Sequence, residues 1–381
     1  MHRTLDPRLI DASGHEPGLV VGVRDESRML LFDLGDTVRL LAPRVLLRTT
    51  QAFVSHAHMD HFAGFDHLLA LGLGRMPALA LWGGPGFIDR VAHKLAAYTW
   101  NVVHRYEVPL VLEVHALEQD GTHRHARFDS REGFRRCDLP ATRPAEPALL
   151  LDEPLFEVRA AIVDHEMPVL AFAIREKAQL RVDAARIAAA GLTPGAWLRE
   201  LRAAVLAGAA DEAPIELAWR DRGGAHVATR SVGELRSLVL DTVPGRLIGY
   251  VTDLRGTEEN LGRLAAVLHG ADLLHIEAVF AAEDAAQAAR KNHLSTVQAG
   301  TFARRLGARR VVPFHFSARY RGATARLVAQ VEAAWAGEGP GGETEERAPG
   351  ATGARCVPMQ AGHGVPGGGA EGEPGGRPSA R

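Results

Sequence analysis

Cysteine is nearly missing from this chain: Cys137 and Cys356 are the only two in 381 residues. They lie far apart in sequence, which excludes a disulfide framework and a cysteine-rich metal site. Apolar runs of membrane-spanning length are absent too, and Met1-His2-Arg3-Thr4-Leu5-Asp6-Pro7 holds no apolar signal core, so a cytoplasmic protein is expected. The third lack is an excess of basic charge. With 44 Lys and Arg against 46 Asp and Glu the net charge is −2, so any nucleic-acid binding requires a local patch. What is present is ordinary globular composition, 46% hydrophobic and 24% charged, enough for one large domain or two smaller ones.

After Trp335 the composition turns to Gly, Pro, Ala, Glu and Arg, which cannot bury enough apolar surface to offset the entropy of ordering, so 336–381 reads as a disordered tail. Before it, strand-like runs recur at 19–25, 28–35, 78–82, 110–117, 155–163, 169–175, 246–253, 272–280 and 309–316. Helical patterns alternate with the later ones, as in "GTEENLGRLAAVLHG" and "STVQAGTFARRLGA", and the order fits one α/β domain over 1–335 with sheets covered by helices. The interval 177–235 breaks the pattern. It is helix-prone, carries Arg181, Arg186, Arg199, Arg202, Arg220, Arg222 and Arg230, and reads either as surface helices packed on the sheet or as a protruding arm or lid that meets substrate.

The chemistry concentrates in "VSHAHMDHFAGF", where His56, His58, Asp60 and His61 fall within six residues after the apolar run Ala52-Phe53-Val54. Alternation with Ala57 and Met59 puts His56, His58 and Asp60 on one side of an extended chain. Further ligands must come from other strand ends, and His165, Asp253 and His315 each stand just past an apolar run. Singly, each has a plainer reading as a satisfied edge histidine or, for Asp253, a cap on the following helix.

Together these residues resemble the metallo-β-lactamase superfamily. "SHAHMDH" matches its H-x-H-x-D-H signature, and "VDHEMPVLAFAIREK", "YVTDL" and "VVPFHFSARY" are similar to the later motifs of its ribonuclease Z-like branch. "NHLSTVQAGTFARRLGA" places His293 where that branch carries a catalytic histidine opening a helix, Glu277 matches an acidic member, and the likeness runs from about Leu30 to Tyr320. The resemblance implies a four-layer αββα sandwich and two divalent metals, with His56, His58 and His165 holding one, Asp60, His61 and His315 the other, and Asp253 bridging. Zinc is the first expectation, and manganese or iron suit the same nitrogen and oxygen donors. A metal-bridged hydroxide is the implied nucleophile, oriented by Asp60. His293, held by Glu277, is the implied proton donor, with Arg319, Tyr320 and Ser317 as candidate phosphate contacts.

The chain departs from the branch in three places. "FDLGDTVRL" keeps Asp33, Gly35 and Thr37 but lacks the Gly-Glu-Gly-Thr run; His275 is displaced by one position relative to Glu277; and "LTPGAWLRELR" keeps Pro194 and Gly195 but not the second glycine and lysines of the tRNA-gripping arm. The resemblance implies a phosphodiesterase acting on precursor tRNA or another RNA, working as a homodimer. The alternatives are a hydrolase of a small phosphodiester, cyclic nucleotide, sulfate ester or lactone on the same centre, and a metal-binding protein without turnover. His67, the loop pair His123 and His125, and Trp197 are set aside as packing or surface residues.

Overall fold

The computed structural model describes residues 4–24, 26–221 and 224–338, so the tail expected at 336–381 lies outside the described residues from 339 onward. Eight strands form the first sheet in chain order: β1 (Leu5–Leu9), β2 (Leu19–Val23), β3 (Arg28–Phe32), β4 (Thr49–Phe53), β5 (Ala78–Gly83), β6 (Val111–Leu117), β7 (His123–Asp129) and β8 (Arg135–Thr142). The chain then enters a second sheet through β9 (Leu149–Asp152), β10 (Phe156–Asp164) and β11 (Pro168–Glu176). It leaves for an insert holding β12 (Gln179–Val182), β13 (Pro214–Asp221), β14 (Gly224–Ser231) and β15 (Leu240–Val243), and returns as β16 (Leu247–Val251), β17 (Leu273–Glu277) and β18 (Val311–Phe314). The second sheet has the order β18-β17-β16-β11-β10-β9.

Alternation along the strands builds four layers. In β3 and β4, Leu31 and Ala52 pack under the helices Phe65–Gly72 and Phe87–Ala96, whereas Leu30, Phe32 and Phe53 turn to the second sheet. In β11, Leu170, Phe172 and Ile174 face inward, and Val169, Ala171 and Ala173 face the helices Glu258–Leu268, Thr296–Arg305 and Thr324–Ala336. Between the sheets Phe32 stacks on Phe53 at 4.7 Å and Phe172 meets both edge-on, each fully buried ring contributing about 2–3 kcal/mol. The αββα sandwich expected from the resemblance is the fold of the chain.

Apart from the short β9, "LLLD", the first strands that the sequence did not announce carry no apolar run. β8 is almost wholly exposed, β7 is the polar "HRHARFD", and β1 holds Pro7 on the edge of the sheet, where a missing N–H costs no ladder bond. In the insert, the helix-prone reading of 177–235 is half corrected. Helices Ala184–Ala189, Trp197–Leu206 and Val232–Val239 are present, but so are the hairpin β13–β14 and the ribbon β12–β15, which follows the β11–β16 pair. Its polar-apolar alternation, as in "PIELAWRD", has the period of a strand. The insert does not pack its apolar residues on the sheets: Ile187, Trp197, Leu201, Ile215, Leu217, Val232 and Leu235 form a core of their own.

One close approach fixes the histidine-rich segment against the end of β3. Leu34 N–H bonds to His61 O at 2.8 Å and Gly64 N–H to Leu34 O at 2.7 Å. A Cβ on Gly64 would come within 2.0 Å of Gly35 O, and one on Gly35 within 1.9 Å of Asp60 O. Gly64 has an ordinary helical φ of −75°, so a substitution there acts through this clash alone. Gly64→Ala is expected to cost about 3 kcal/mol in urea unfolding; a loss below about 0.5 kcal/mol, the scale of a neutral surface change, would show that the two segments can separate freely.

Candidate metal centre

Strands of both sheets end at one edge, and their ends supply the site: Asp33 after β3, His56 and His58 after β4, His165 after β10, Asp253 after β16, Glu277 closing β17 and His315 after β18. Loops at the carboxyl ends of parallel strands are where open α/β sheets place their ligands. His56, His58, His165 and Asp253 each bring a ligand atom within 4.8 Å of one another, and so do Asp60, His61 and His315. Asp253, Glu277 and His315 form a third such set. Asp253 joins the first two. Its Oδ2 stands 3.5 Å from His56 Nε2 and 3.6 Å from His165 Nε2, while Oδ1 stands 3.5 Å from His61 Nε2 and 2.9 Å from His315 Nδ1. Asp60 Oδ2 lies 3.4 Å from His61 Nε2 and 3.5 Å from His315 Nε2.

The segment is not the continuous extended chain that alternation suggested. The strand stops at Phe53, and the chain turns helical over Met59–Phe62 with His58 at the cap. That turn is what lets the sequence neighbours Asp60 and His61 reach the same group; in a strand they would point to opposite faces. Asp253 does not cap the following helix either, because Thr257 does, through Asn260 N–H.

The rings are held by partners behind them. His61 Nδ1–H donates to Asp33 Oδ2 at 2.8 Å, and the same fully buried carboxylate accepts from Tyr250 O–H at 2.9 Å and Ser55 N–H at 2.7 Å. His56 Nδ1 meets Ser55 Oγ at 3.1 Å, and His165 Nδ1–H donates to Asn292 O at 2.7 Å. Each of these bonds turns the other nitrogen, Nε2, toward Asp253, the usual arrangement of a metal-ligating histidine. Asp33 and Tyr250 are the members that sequence reasoning missed as site residues; the available signal was an acidic side chain closing the apolar run "RMLLF". Four non-glycine residues with left-handed backbone lie here, Asp33, Glu166, Asn292 and His315, with φ of 59–65°. Such strain gathers at functional sites.

The electrostatics of the two groups differ. Burial first, then the neighbouring His61, pushes His56 down to about 3, and burial also lowers His58. Burial opposes protonation of His315 as well, but the Asp253 and Asp60 carboxylates outweigh it and raise it to about 10; His61 is raised well above its ordinary value by Asp253 and Asp33 against the same burial. Asp253 and Asp60 resist burial and are held well below the usual carboxylate range by those histidines. In the metal-free protein, protons on His61 and His315 thus offset the carboxylates. Buried His56 Nε2, His61 Nε2 and His315 Nδ1 make no hydrogen bond, and nitrogen and oxygen donors in this arrangement fit divalent cations.

Beside the two groups stands His293, its ring 4.7 Å from that of His165 and 5.9 Å from that of His315. Its Nδ1–H donates to Glu277 Oε2 at 3.0 Å, while Glu277 Oε1 accepts from Leu254 N–H at 2.8 Å. Burial works against a proton on His293, yet Glu277 raises its affinity for one. His293 does not open the next helix, which Ser295 caps; it sits in the linker behind Asn292.

Other sequence candidates resolve differently. Tyr320 is buried with its hydroxyl on Asp284 and Ala281 N–H; Arg319, half exposed, lies over Phe280 and near Asp284; and Ser317 N–H bonds to Val279 O. His275 is buried and bonds to Gly249 O. His123 and His125 lie in β7, not in a loop, the first on Pro147 O and the second on His115. His67 lies 3.4 Å from Arg39, and Trp197 is the buried anchor of its helix.

Residues 217–316 match the family model described as Beta-lactamase superfamily domain. Over 303 residues the chain is 34% identical to "Ribonuclease Z" of Deinococcus radiodurans, covering 78% of this chain and 85% of that protein. It is 26% identical over 325 residues to "Ribonuclease Z" of Natronomonas pharaonis, covering 84% and 87%. A crystal structure of human tRNase Z, short form, aligns at 19% identity and a TM-score of 0.48 over 83% of this chain and 93% of that one.

The charge difference between the two groups has a measurable consequence. A cation at Asp60, His61 and His315 must displace the protons that those histidines hold at neutral pH, so its affinity rises with pH, by up to about tenfold per unit for each proton released. His56 and His58 are already neutral, and the group they belong to should bind with a weaker pH dependence. Zinc titration calorimetry at pH 6.5 and 8.5, in buffers of different ionisation enthalpy, is expected to resolve one strongly and one weakly proton-coupled step. Equal coupling of both steps would contradict this assignment.

Proposed function

Since the chain belongs to the ribonuclease Z family of the metallo-β-lactamase superfamily, we propose that it is a precursor-tRNA endonuclease that uses two divalent metals. It is a metal-dependent hydrolase, and the observation that carries the finer reading is the Asp253 carboxylate. One of its oxygens faces His56 and His165, the other His61 and His315. We assign His56, His58 and His165 to one ion, Asp60, His61 and His315 to the other, and Asp253 to both, with zinc preferred and manganese or iron(II) compatible. Ions held there supply Lewis acidity toward phosphoryl oxygens and acidify water near neutral pH.

The chain's own groups do the rest. Asp60, 44% exposed where Asp253 is 3%, is open to solvent at the mouth of the site and accepts a hydrogen bond from an attacking water. His293 holds a proton on Nε2, with Nδ1–H committed to Glu277, and gives it to the leaving oxygen of the diester. Glu277, fully buried, holds Nδ1–H and favours the doubly protonated ring from which Nε2 releases its proton.

The insert supports RNA over a small ester. Its apolar side chains close on their own core, and Arg199 and Arg202 lie exposed three residues apart on one face of the helix Trp197–Leu206. Such a face suits phosphates, which supply most of the affinity in RNA binding. The 177–235 interval is accordingly assigned as an arm within a single 1–335 hydrolase domain, serving a neighbouring subunit in a homodimer. No helix among the described residues is long and apolar enough to cross a membrane, and a cytoplasmic location belongs to the same proposal.

Side-by-side cleavage of precursor tRNA and bis(p-nitrophenyl) phosphate tests the reading. Site-specific cleavage of the tRNA is expected, lost by at least about 10³-fold in Asp60→Ala and His58→Ala, and lowered by about 10²–10³-fold in His293→Ala with metal content unchanged. Turnover of the small diester alone would move the substrate to small molecules. Unchanged activity in Asp60→Ala would remove the two-metal assignment.

A further inference from the structure

Asn292 ends the helix Ala285–Lys291 in the left-handed region, φ 60°, a place where Asn is tolerated and which capping alone explains. Capping asks nothing of its side chain, yet here the amide is held at both ends. Its Oδ1 accepts from Arg255 Nε–H at 2.9 Å, and its Nδ2–H donates to Glu166 Oε2 at 2.7 Å. Arg255 also reaches Asp164 Oδ2 at 3.0 Å with Nη1, and its backbone N–H donates to Asp164 O at 2.9 Å. The sequence positions are informative: Asp164 and Glu166 flank His165, Arg255 lies two residues past Asp253, and Asn292 directly precedes His293. The main-chain carbonyl of Asn292 meanwhile accepts the Nδ1–H of His165.

We propose that Asn292, clamped by Arg255 and Glu166, is a positioning residue that sets the His293 ring against His165 and so places the proton donor relative to the metal centre. This rests on the roles assigned above to His293 and His165. The two rings stand 4.7 Å apart and come from segments 128 positions apart in the chain. Glu277 fixes only Nδ1 of His293; the clamp fixes the backbone from which the ring projects. Misplacing a reacting group by about 1 Å costs on the order of a hundredfold in rate.

Asn292→Gly keeps the left-handed backbone and the carbonyl acceptor for His165 while removing the clamp. It is expected to lower kcat on bis(p-nitrophenyl) phosphate by about 10–100-fold, with KM and bound zinc unchanged, and to shift the His165 and His293 ring ¹⁵N signals of the zinc-loaded protein but not those of His56. Asn292→Asp should lose rate similarly, since it faces Glu166 with a second carboxylate, and adding Glu166→Gln should restore the rate by reversing donor and acceptor. A full rate with unmoved ring signals in Asn292→Gly, a loss of rate matched by loss of zinc, or no recovery in the double variant would each overturn the proposal. If the unaltered protein turned over neither diester nor tRNA, the functional reading would fall, and the ring signals of Asn292→Gly would still decide whether the clamp positions the two histidines.

Discussion

A single buried carboxylate between two sets of histidine nitrogens is the constraint from which the rest of this structure follows. Asp253 is 3% exposed, and its charge cannot be left uncompensated at that depth. Four histidines approach its two oxygens, but none of the buried Nε2 atoms of His56 and His61 completes a hydrogen bond. Nitrogen and oxygen donors that stop short of satisfying one another suit cations, which satisfy both sides at once. The strained backbone at Asp33, Glu166, Asn292 and His315 belongs to the same economy of space, since these residues turn the chain sharply where sheet ends must deliver side chains to one point.

The supports behind the candidate ligands come from both sheets. Asp33 from β3 and Tyr250 from β16 meet behind His61, so the orientation of that ring depends on the sandwich being closed. Burial, together with Asp33, raises the Tyr250 hydroxyl well above its ordinary range, which keeps it a donor. On the other flank the Asn292 carbonyl supports His165, and Glu277 supports His293. Packing between layers and chemistry at their edge are therefore coupled: the phenylalanines that close the sheets also hold the distance between Asp33 and Tyr250.

Much of this was legible in the residues. The period-two runs of β3, β4, β10, β11 and β16 have one face for helices and one for the opposite sheet, so both faces are apolar and the runs stand out. The candidate ligand positions His165, Asp253 and His315 stand out in the residues because each follows such a run at a strand end. β7 and β8 were not, because a strand with one exposed face, whether the edge strand β8 or its neighbour β7, needs no apolar stretch, and the hairpin β13–β14 was hidden inside arginine-bearing, helix-prone sequence. The alternation at His56, His58 and Asp60 suggested a strand, whereas the strand ends at Phe53 and the chain turns helical at Met59. Pairings across long separations, such as Asp33 with His61 and Tyr250, or Asn292 with His165, leave no local pattern and become visible only once the sheets are assembled.

The central claim is that Asp253 unites two ligand groups, and it is tested most directly by anomalous diffraction from crystals of the zinc-loaded protein. The account predicts two ions per chain, one among His56, His58 and His165 and one among Asp60, His61 and His315, with Asp253 touching both. A single ion in either group, or two ions with Asp253 bound to only one, would contradict it.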